Sequence, residues 1–245
     1  MKREPQVKHE TPSTKARLLE AARHLFWEKG FAATGMAELL DRAQANSGSF
    51  YHFFDSKEAL LLVLLDSYQE GLYPVIVRPA EAAFADPLAR IFAILQGYRE
   101  RLLATGNRYG CPIGRLALEI EAENLPAHKR IAANFSAWTG AIRGFLEQAR
   151  ERFPAGCDLD GLAVFVLTTM EGGVMQSRSY RRIGPFDQSV THLRNYFEYL
   201  QKEKTHETSY RSRGAADRSA PARGRSTSRA RKGNTSGKTR KGPQD

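Results

Sequence analysis

Hydrogen-bonding chemistry is densest between Asn46 and Lys57, where Ser47, Gly48, Ser49, Tyr51 and His52 are interleaved with the apolar Phe50 and Phe54. Phe50 and Phe54 share one face of a short helix, which leaves the small and polar chains on the other. Hydroxyls, a glycine and an imidazole on one face suit base edges and phosphates in a DNA groove better than a protein core. Lys57 follows in the first turn of a further helix, where a cation opposes the macrodipole, and an anion outside the protein would account for it. Cys111 precedes Pro112 at a helix start, where the dipole can lower a thiol's pKa; the plainer reading is a small buried residue. Glu171 interrupts an apolar helix beside Met170 and Gly172-Gly173, and suits either a pocket facing a ligand's polar end or an ion pair with Arg115 or Arg178. The alternating Glu119, Glu121 and Glu123 do not converge on a helix and read as a solvated face. With no His-Cys spacing, glycine-rich phosphate loop or paired-acid motif, no catalytic residue, metal or cofactor is expected.

The polar run needs a scaffold, and the flanking pattern supplies one. Leu18, Ala22, Leu25 and Phe26 mark an amphipathic helix entered at Ser13 and stopped at Lys29-Gly30. Met36, Leu39, Leu40 and Ala43 mark a second, with Thr34 as its expected cap, and Ala45-Asn46 makes the turn into the third. This is a helix-turn-helix arrangement. Asp55 and Glu58 have capping-box spacing at the start of a long helix, and Ala59 to Leu65 is apolar nearly all round. Beyond it, helices are expected over 86–105, 112–124, 126–153, 158–180 and 185–204, with no alternating strand pattern. We therefore expect an all-α chain: a flexible arm over 1–12, a three-helix head over 13–57, a larger helical ligand-binding and dimerisation body over 58–204, and a disordered basic tail over 205–245. Wide apolar faces on the last two body helices, Leu162, Phe165, Val166, Thr169 and Gly173 on one and Val190, Leu193, Tyr196, Phe197 and Leu200 on the other, point to a homodimer through those helices.

The net charge of +10 is mostly a property of the tail. Residues 201–245 hold 13 basic and 4 acidic side chains, leaving 24 basic (37 less 13) and 23 acidic (27 less 4) before them. A nearly neutral head and body cannot bind DNA by bulk charge, so binding there must rest on a few placed contacts. Two cysteines make no disulfide framework, and no signal-like or bilayer-length apolar run stands out, so a cytoplasmic protein without membrane partners is expected.

Up to Leu60 the chain resembles the TetR family of bacterial regulators: Leu25-Phe26-x-x-Lys29-Gly30-Phe31, then Thr34, then Gly48-Ser49-Phe50-Tyr51-x-x-Phe54-x-Ser56-Lys57-Glu58-x-Leu60. The resemblance implies a DNA-binding head on a helical ligand-binding body, working as a dimer. By position it implies that Thr34, Tyr51 and Lys57 hold phosphates while Ser47, Gly48, Ser49 and His52 face the major groove, with Asn46 at the helix start. Gln44 stands where the family's turn has glycine, Phe53 where histidine is usual and Leu40 where a small residue is common; a residue with φ > 0 at Gln44 would be strained. Gly110-Cys111-Pro112-Ile113-Gly114 looks like an element of one branch of the family. Phe92, Cys111, Phe135, Trp138, Phe165 and Glu171 are the candidate effector contacts, with Tyr98 as a further cavity aromatic.

The expected function is a ligand-responsive repressor that binds a palindromic double-stranded operator as a dimer and is released by a small-molecule effector. Two rivals are a sequence-indifferent nucleic-acid compaction protein that relies on the basic tail, and an enzyme with a Cys111 thiol.

Overall fold

The computed structural model describes residues 12–218, and every regular element among them is helical. The head comprises α1 (Thr14–Glu28), α2 (Met36–Ala43) and α3 (Ser47–Phe53). Ser13 starts α1, its hydroxyl accepting from the Ala16 N–H at 3.2 Å. Leu18, Ala22, Leu25 and Phe26 of α1 close on Leu39, Phe50 and Phe54, all buried, so the expected apolar stripes are the ones that form the core of the head. Burying each of these larger chains contributes about 1.5–3 kcal/mol before entropy is counted.

The turn between α2 and α3 shows how a non-glycine residue is tolerated. Gln44 sits at φ 49°, ψ 49°, in the left-handed region. The Gln44 N–H donates to the Asp41 carbonyl and the Ala45 N–H to the Leu40 carbonyl, each at 3.0 Å, which closes the end of α2. Arg17 then donates from Nε to the Ala43 carbonyl at 3.0 Å and from a terminal nitrogen to the Gln44 carbonyl at 3.3 Å. Charge-assisted bonds from α1 offset a backbone cost of order 1 kcal/mol.

Two capping expectations are corrected. Gly35, not Thr34, is the N-cap of α2; the Thr34 side chain is buried and donates to the Gly30 carbonyl at 2.7 Å. Ser56 rather than Asp55 caps α4 (Lys57–Gly71), accepting from the Ala59 N–H at 3.1 Å.

In the body, α4 buries Leu60, Leu61, Leu64 and Leu65 and packs on α1 and on α8 (Leu125–Gln148). The stretch Lys57–Ala83 is long and apolar enough by composition to cross a membrane, but these leucines form the core of the fold. After Gly71 the backbone widens into a π-helical turn, Leu72–Val77, followed by α5 (Arg78–Ala83). Pro74 and Pro79 lie in this stretch, each lacking an N–H, which disturbs the regular ladder. Then come α6 (Pro87–Ala104), α7 (Pro112–Glu119), α8, a 3-10 turn at Arg150–Arg152, α9 (Leu159–Tyr180) and α10 (Gly184–Arg218). Helix α7 stops at Glu119 instead of reaching 124, because Asn124 caps α8, accepting from the Ala127 N–H at 3.2 Å, with Pro126 in its first turn. Helix α10 runs to Arg218, past the expected end at 204: no proline occurs between Pro185 and Pro221, and Gln201, Lys202, Glu203 and Lys204 are good helix formers. The expected arm, Pro12 apart, and the tail beyond Arg218 lie outside the described residues.

Gly30 is the position that ties head to body. Its φ is +96°, and an added Cβ would overlap the Glu119 carboxylate. Gly30→Ala should therefore lose about 2 kcal/mol or more in a urea unfolding series. Gly35→Ala, with open space around the added atom, should cost less, about 0.5–1 kcal/mol, from the poorer N-cap alone.

Candidate nucleic-acid interface and effector cavity

Helix α3 buries Phe50 and Phe54 and turns its other side outward. Asn46 caps it, its Oδ1 accepting from the Ser49 N–H at 2.8 Å. Ser47, Gly48, Tyr51 and His52 are exposed, Ser49 is half-buried, and Tyr51 is 59% exposed, held edge-on against Phe50 at 5.2 Å. His52 lies edge-on to Phe53 at 4.7 Å, and Phe53, in place of the family's histidine, is itself exposed. A Cβ at Gly48 would meet only the Asn46 Oδ1, at 3.4 Å, an ordinary contact. Nothing inside the protein requires glycine there, whereas a surface that must approach a groove closely does.

Two expected phosphate holders have inward roles. Thr34 is buried, so its hydroxyl has no access to DNA in this conformation. Lys57 is not the free cation expected from its place in α4: Nζ donates to the Phe31 and Thr34 carbonyls, each at 3.0 Å, and lies 4.3 Å from the centre of the Phe31 ring. The cation that opposes the α4 macrodipole is matched inside the protein, by the carbonyl edge of the α1–α2 loop.

The same loop is gripped from the body. Glu119 accepts from the Phe31 N–H at 2.7 Å and from Arg115 Nε at 2.7 Å, and Arg115 also donates to the Glu28 carbonyl at 3.5 Å and to the Lys29 carbonyl. Glu119 is thus a junction residue and not part of a solvated acidic face. Close by, Trp27 Nε1 donates to the Gly110 carbonyl at 2.6 Å, so α1 also holds the strand of chain leading into Cys111 and α7.

The candidate effector contacts do not converge on one site. Trp138 lines a cavity of about 310 Å3 between α1, α4, α6 and α8, together with Trp27, Tyr68, Tyr98 and Tyr109. Cys111, Phe135 and Glu171 line a separate, more open cleft of about 480 Å3 with Arg115, Met175 and Arg178. Phe92 belongs to neither: it packs on Phe197 at 5.6 Å beneath the Arg194 guanidinium. Phe165 is on the outer surface against Tyr196 at 5.7 Å. Three cavity-lining residues are not marked by the sequence: Arg23 and Trp27 sit on α1, which reads as support, and Arg101 on α6 beside the expected Tyr98, and no local pattern marks which way they face across the fold.

Cys111 is buried, and burial, reinforced by the carboxylate of Glu171, pushes its thiol well above the ordinary range. It accepts from the Gly114 N–H at 3.4 Å, so it serves as the cap of α7 and not as a ready thiolate. Burial likewise raises Glu171, with the Cys111 hydrogen bond pulling the other way. Glu171 meets Cys111, not Arg115, which is taken by Glu119.

Residues 18–64 match the family model described as bacterial regulatory proteins, tetR family, and residues 87–193 match the tetracyclin repressor-like C-terminal domain. An uncharacterized HTH-type transcriptional regulator of Mycobacterium tuberculosis is 30% identical over 188 residues, covering 73% of this chain and 91% of that protein. The HTH-type transcriptional repressor DhaR of Mycobacterium sp. is 26% identical over 176 residues, covering 71% and 87%. A crystal structure of a TetR transcriptional regulator from Chloroflexus aurantiacus superposes with a TM-score of 0.65 at 27% identity, covering 76% and 94%.

Two outcomes are expected from this geometry. Gly48→Ala should fold as well as the parent, or gain up to about 1 kcal/mol in helix propensity, while its DNA affinity measured by fluorescence anisotropy falls. Because the native Glu171 keeps its proton to higher pH than the 4.5 of a free carboxylate, its contribution to stability is lost as pH rises above that value. Glu171→Gln should accordingly show a urea-midpoint advantage over the parent that is small at pH 4.5 and grows toward pH 8.

Proposed function

The chain belongs to the TetR family of bacterial regulatory proteins, and from that premise we propose that it is a ligand-responsive repressor binding a palindromic operator as a homodimer. The outward face of α3 carries the reading. Its apolar half is buried, its polar half is free, and its glycine has no internal reason to be one. Ser47, Gly48, Ser49 and His52 face the base edges, and Tyr51 positions the head on a phosphate. Lys57 acts first as a clamp on the α1–α2 loop, shaping the head that makes these contacts.

Dimerisation supplies the second head. Leu162, Val166, Leu193, Phe197 and Leu200 cover this chain's own core, and Val164, Phe165, Met175, Tyr196 and Tyr199 remain exposed along α9 and α10. An apolar surface of this kind on two helices suits an isologous pairing with a second copy. The two recognition helices then enter successive major grooves, roughly 34–36 Å apart or somewhat more.

Release follows from the junction. Helix α7 carries Arg115 and Glu119 to the head and begins at Cys111-Pro112, between the aromatic cavity and the cleft of Glu171. An effector that favours another position of α7 re-aims the heads, and by linkage operator DNA weakens effector binding by the same factor. As a transcriptional regulator that meets chromosomal DNA, the protein works in the cytoplasm and has no catalytic task.

Binding to the DNA flanking its own gene, compared with scrambled DNA, tests the proposal. We expect sequence-preferring retardation by a species of twice 27.4 kDa, with a loss of tenfold or more in Tyr51→Ala. Equal affinity for scrambled DNA, or an undiminished Tyr51→Ala, would sink it.

A further inference from the structure

The 310 Å3 cavity has a wall that belongs to the head. Arg23, His24 and Trp27 of α1 line it opposite Tyr98 and Trp138 of the body. Trp27 and Tyr109 lie 4.9 Å apart and Tyr98 and Trp138 5.6 Å apart, so rings frame the space on two sides. Such walls favour a flat, polarisable guest. The volume is at the small end for ligand sites and holds about a dozen non-hydrogen atoms.

Charge narrows the class further. The lining contains no carboxylate, and it contains two guanidinium groups, Arg23 lying 5.0 Å from the centre of the Tyr68 ring and Arg101 5.7 Å from that of Tyr98. Glu20 approaches from outside, pairing with Arg23 at 3.3 Å and with His24 at 3.0 Å, so it offsets one of the two cations and leaves an excess positive charge. Guanidinium groups on the lining favour an anionic guest over its neutral isostere.

Resting on the effector reading above, we propose that this cavity binds a planar aromatic monoanion, a carboxylate on a one-ring system, with α1 of the DNA-binding head as part of the site. The ring sits among Trp27, Tyr98 and Trp138, and the carboxylate faces Arg23 and Arg101. A guest against Trp27 competes with Tyr109 and with the Trp27 bond to the Gly110 carbonyl, so occupancy acts on α1 directly, besides any relay through α7. This places the sensor at the joint itself.

The chain has two tryptophans, and both line this cavity, so tryptophan emission reports on its occupancy. The full-length protein is titrated with 4-nitrobenzoate and with 4-nitrobenzamide, which match in size and quenching power and differ in charge. We expect saturable quenching by both, with at least tenfold tighter binding of the carboxylate. Arg23→Gln combined with Arg101→Gln should remove that preference and keep operator binding in the absence of probe. In Trp138→Phe, where Trp27 is the remaining emitter, 4-nitrobenzoate should still quench saturably. Equal affinity for the two probes overturns the ligand class, and loss of saturable quenching in Trp138→Phe overturns the head as a wall. Operator binding without probe is scored separately: if it holds while quenching fails, only this inference falls, and if it fails, the regulator reading falls while the titration still decides the cavity.

Discussion

The Arg115–Glu119 pair and the loop it holds are what the rest of the structure turns on. One carboxylate receives the Phe31 N–H and the Arg115 guanidinium, and the same guanidinium reaches the Glu28 and Lys29 carbonyls. The side chains are only 15% and 24% exposed, so water and salt screen this pair less than the many surface ion pairs elsewhere. Bonds to charged groups contribute about 1.5–3 kcal/mol each, and two of these end on backbone atoms of the α1–α2 loop, at Lys29 and Phe31. Gly30 follows from this arrangement: at φ +96° it bends the loop toward α7, and its missing Cβ is the space the Glu119 carboxylate occupies. The orientation of the head on the body is therefore set by these bonds together with the apolar packing of α1 on α4, which continues the buried core from head into body.

Inside the head the same economy recurs. Lys57 closes the α1–α2 loop from the other side by donating to the Phe31 and Thr34 carbonyls, and Thr34 is turned inward to Gly30. Arg17 holds the turn between α2 and α3 and lets Gln44 adopt a left-handed conformation usually left to glycine. With these loops pinned by internal cations, the outward face of α3 is left to hydroxyls, a glycine, a phenol and an imidazole. That agrees with a head and body whose charges nearly cancel, so that contacts to DNA there depend on placement more than on bulk charge.

The body separates two kinds of candidate chemistry that share one stretch of chain. Cys111 faces Glu171, and its buried thiol serves as the cap of α7. On the other side of the same segment, Gly110 and Pro112 border an aromatic cavity whose cations come from α1 and α6. Helix α7 starts between the two and ends at the bond from the Phe31 N–H to Glu119.

Much of this was legible from residue order. The apolar stripes of α1, the Asn46 cap, the stop at Gly30 and the burial of Phe50 and Phe54 are local consequences of helical period and backbone preference, and they hold in the structure. So did the family motif, because it consists of such local features. What residue order did not carry was partnership across the fold. Glu119 reads as one of three solvated acids and Lys57 as a free cation because the Phe31 N–H and the Phe31 and Thr34 carbonyls that they bind are 88, 26 and 23 residues away in sequence, where no periodicity specifies a partner. Phe92 and Phe165 were grouped with Trp138 because all are aromatic on amphipathic helices, yet three helices meeting at an angle send them to three different places. Arg23 and Trp27 joined the cavity only because α1 lies against α4 and α7. A sequence determines which face of each helix is apolar; only the packing of helices decides which polar and aromatic side chains at the edges of those faces end up sharing one space.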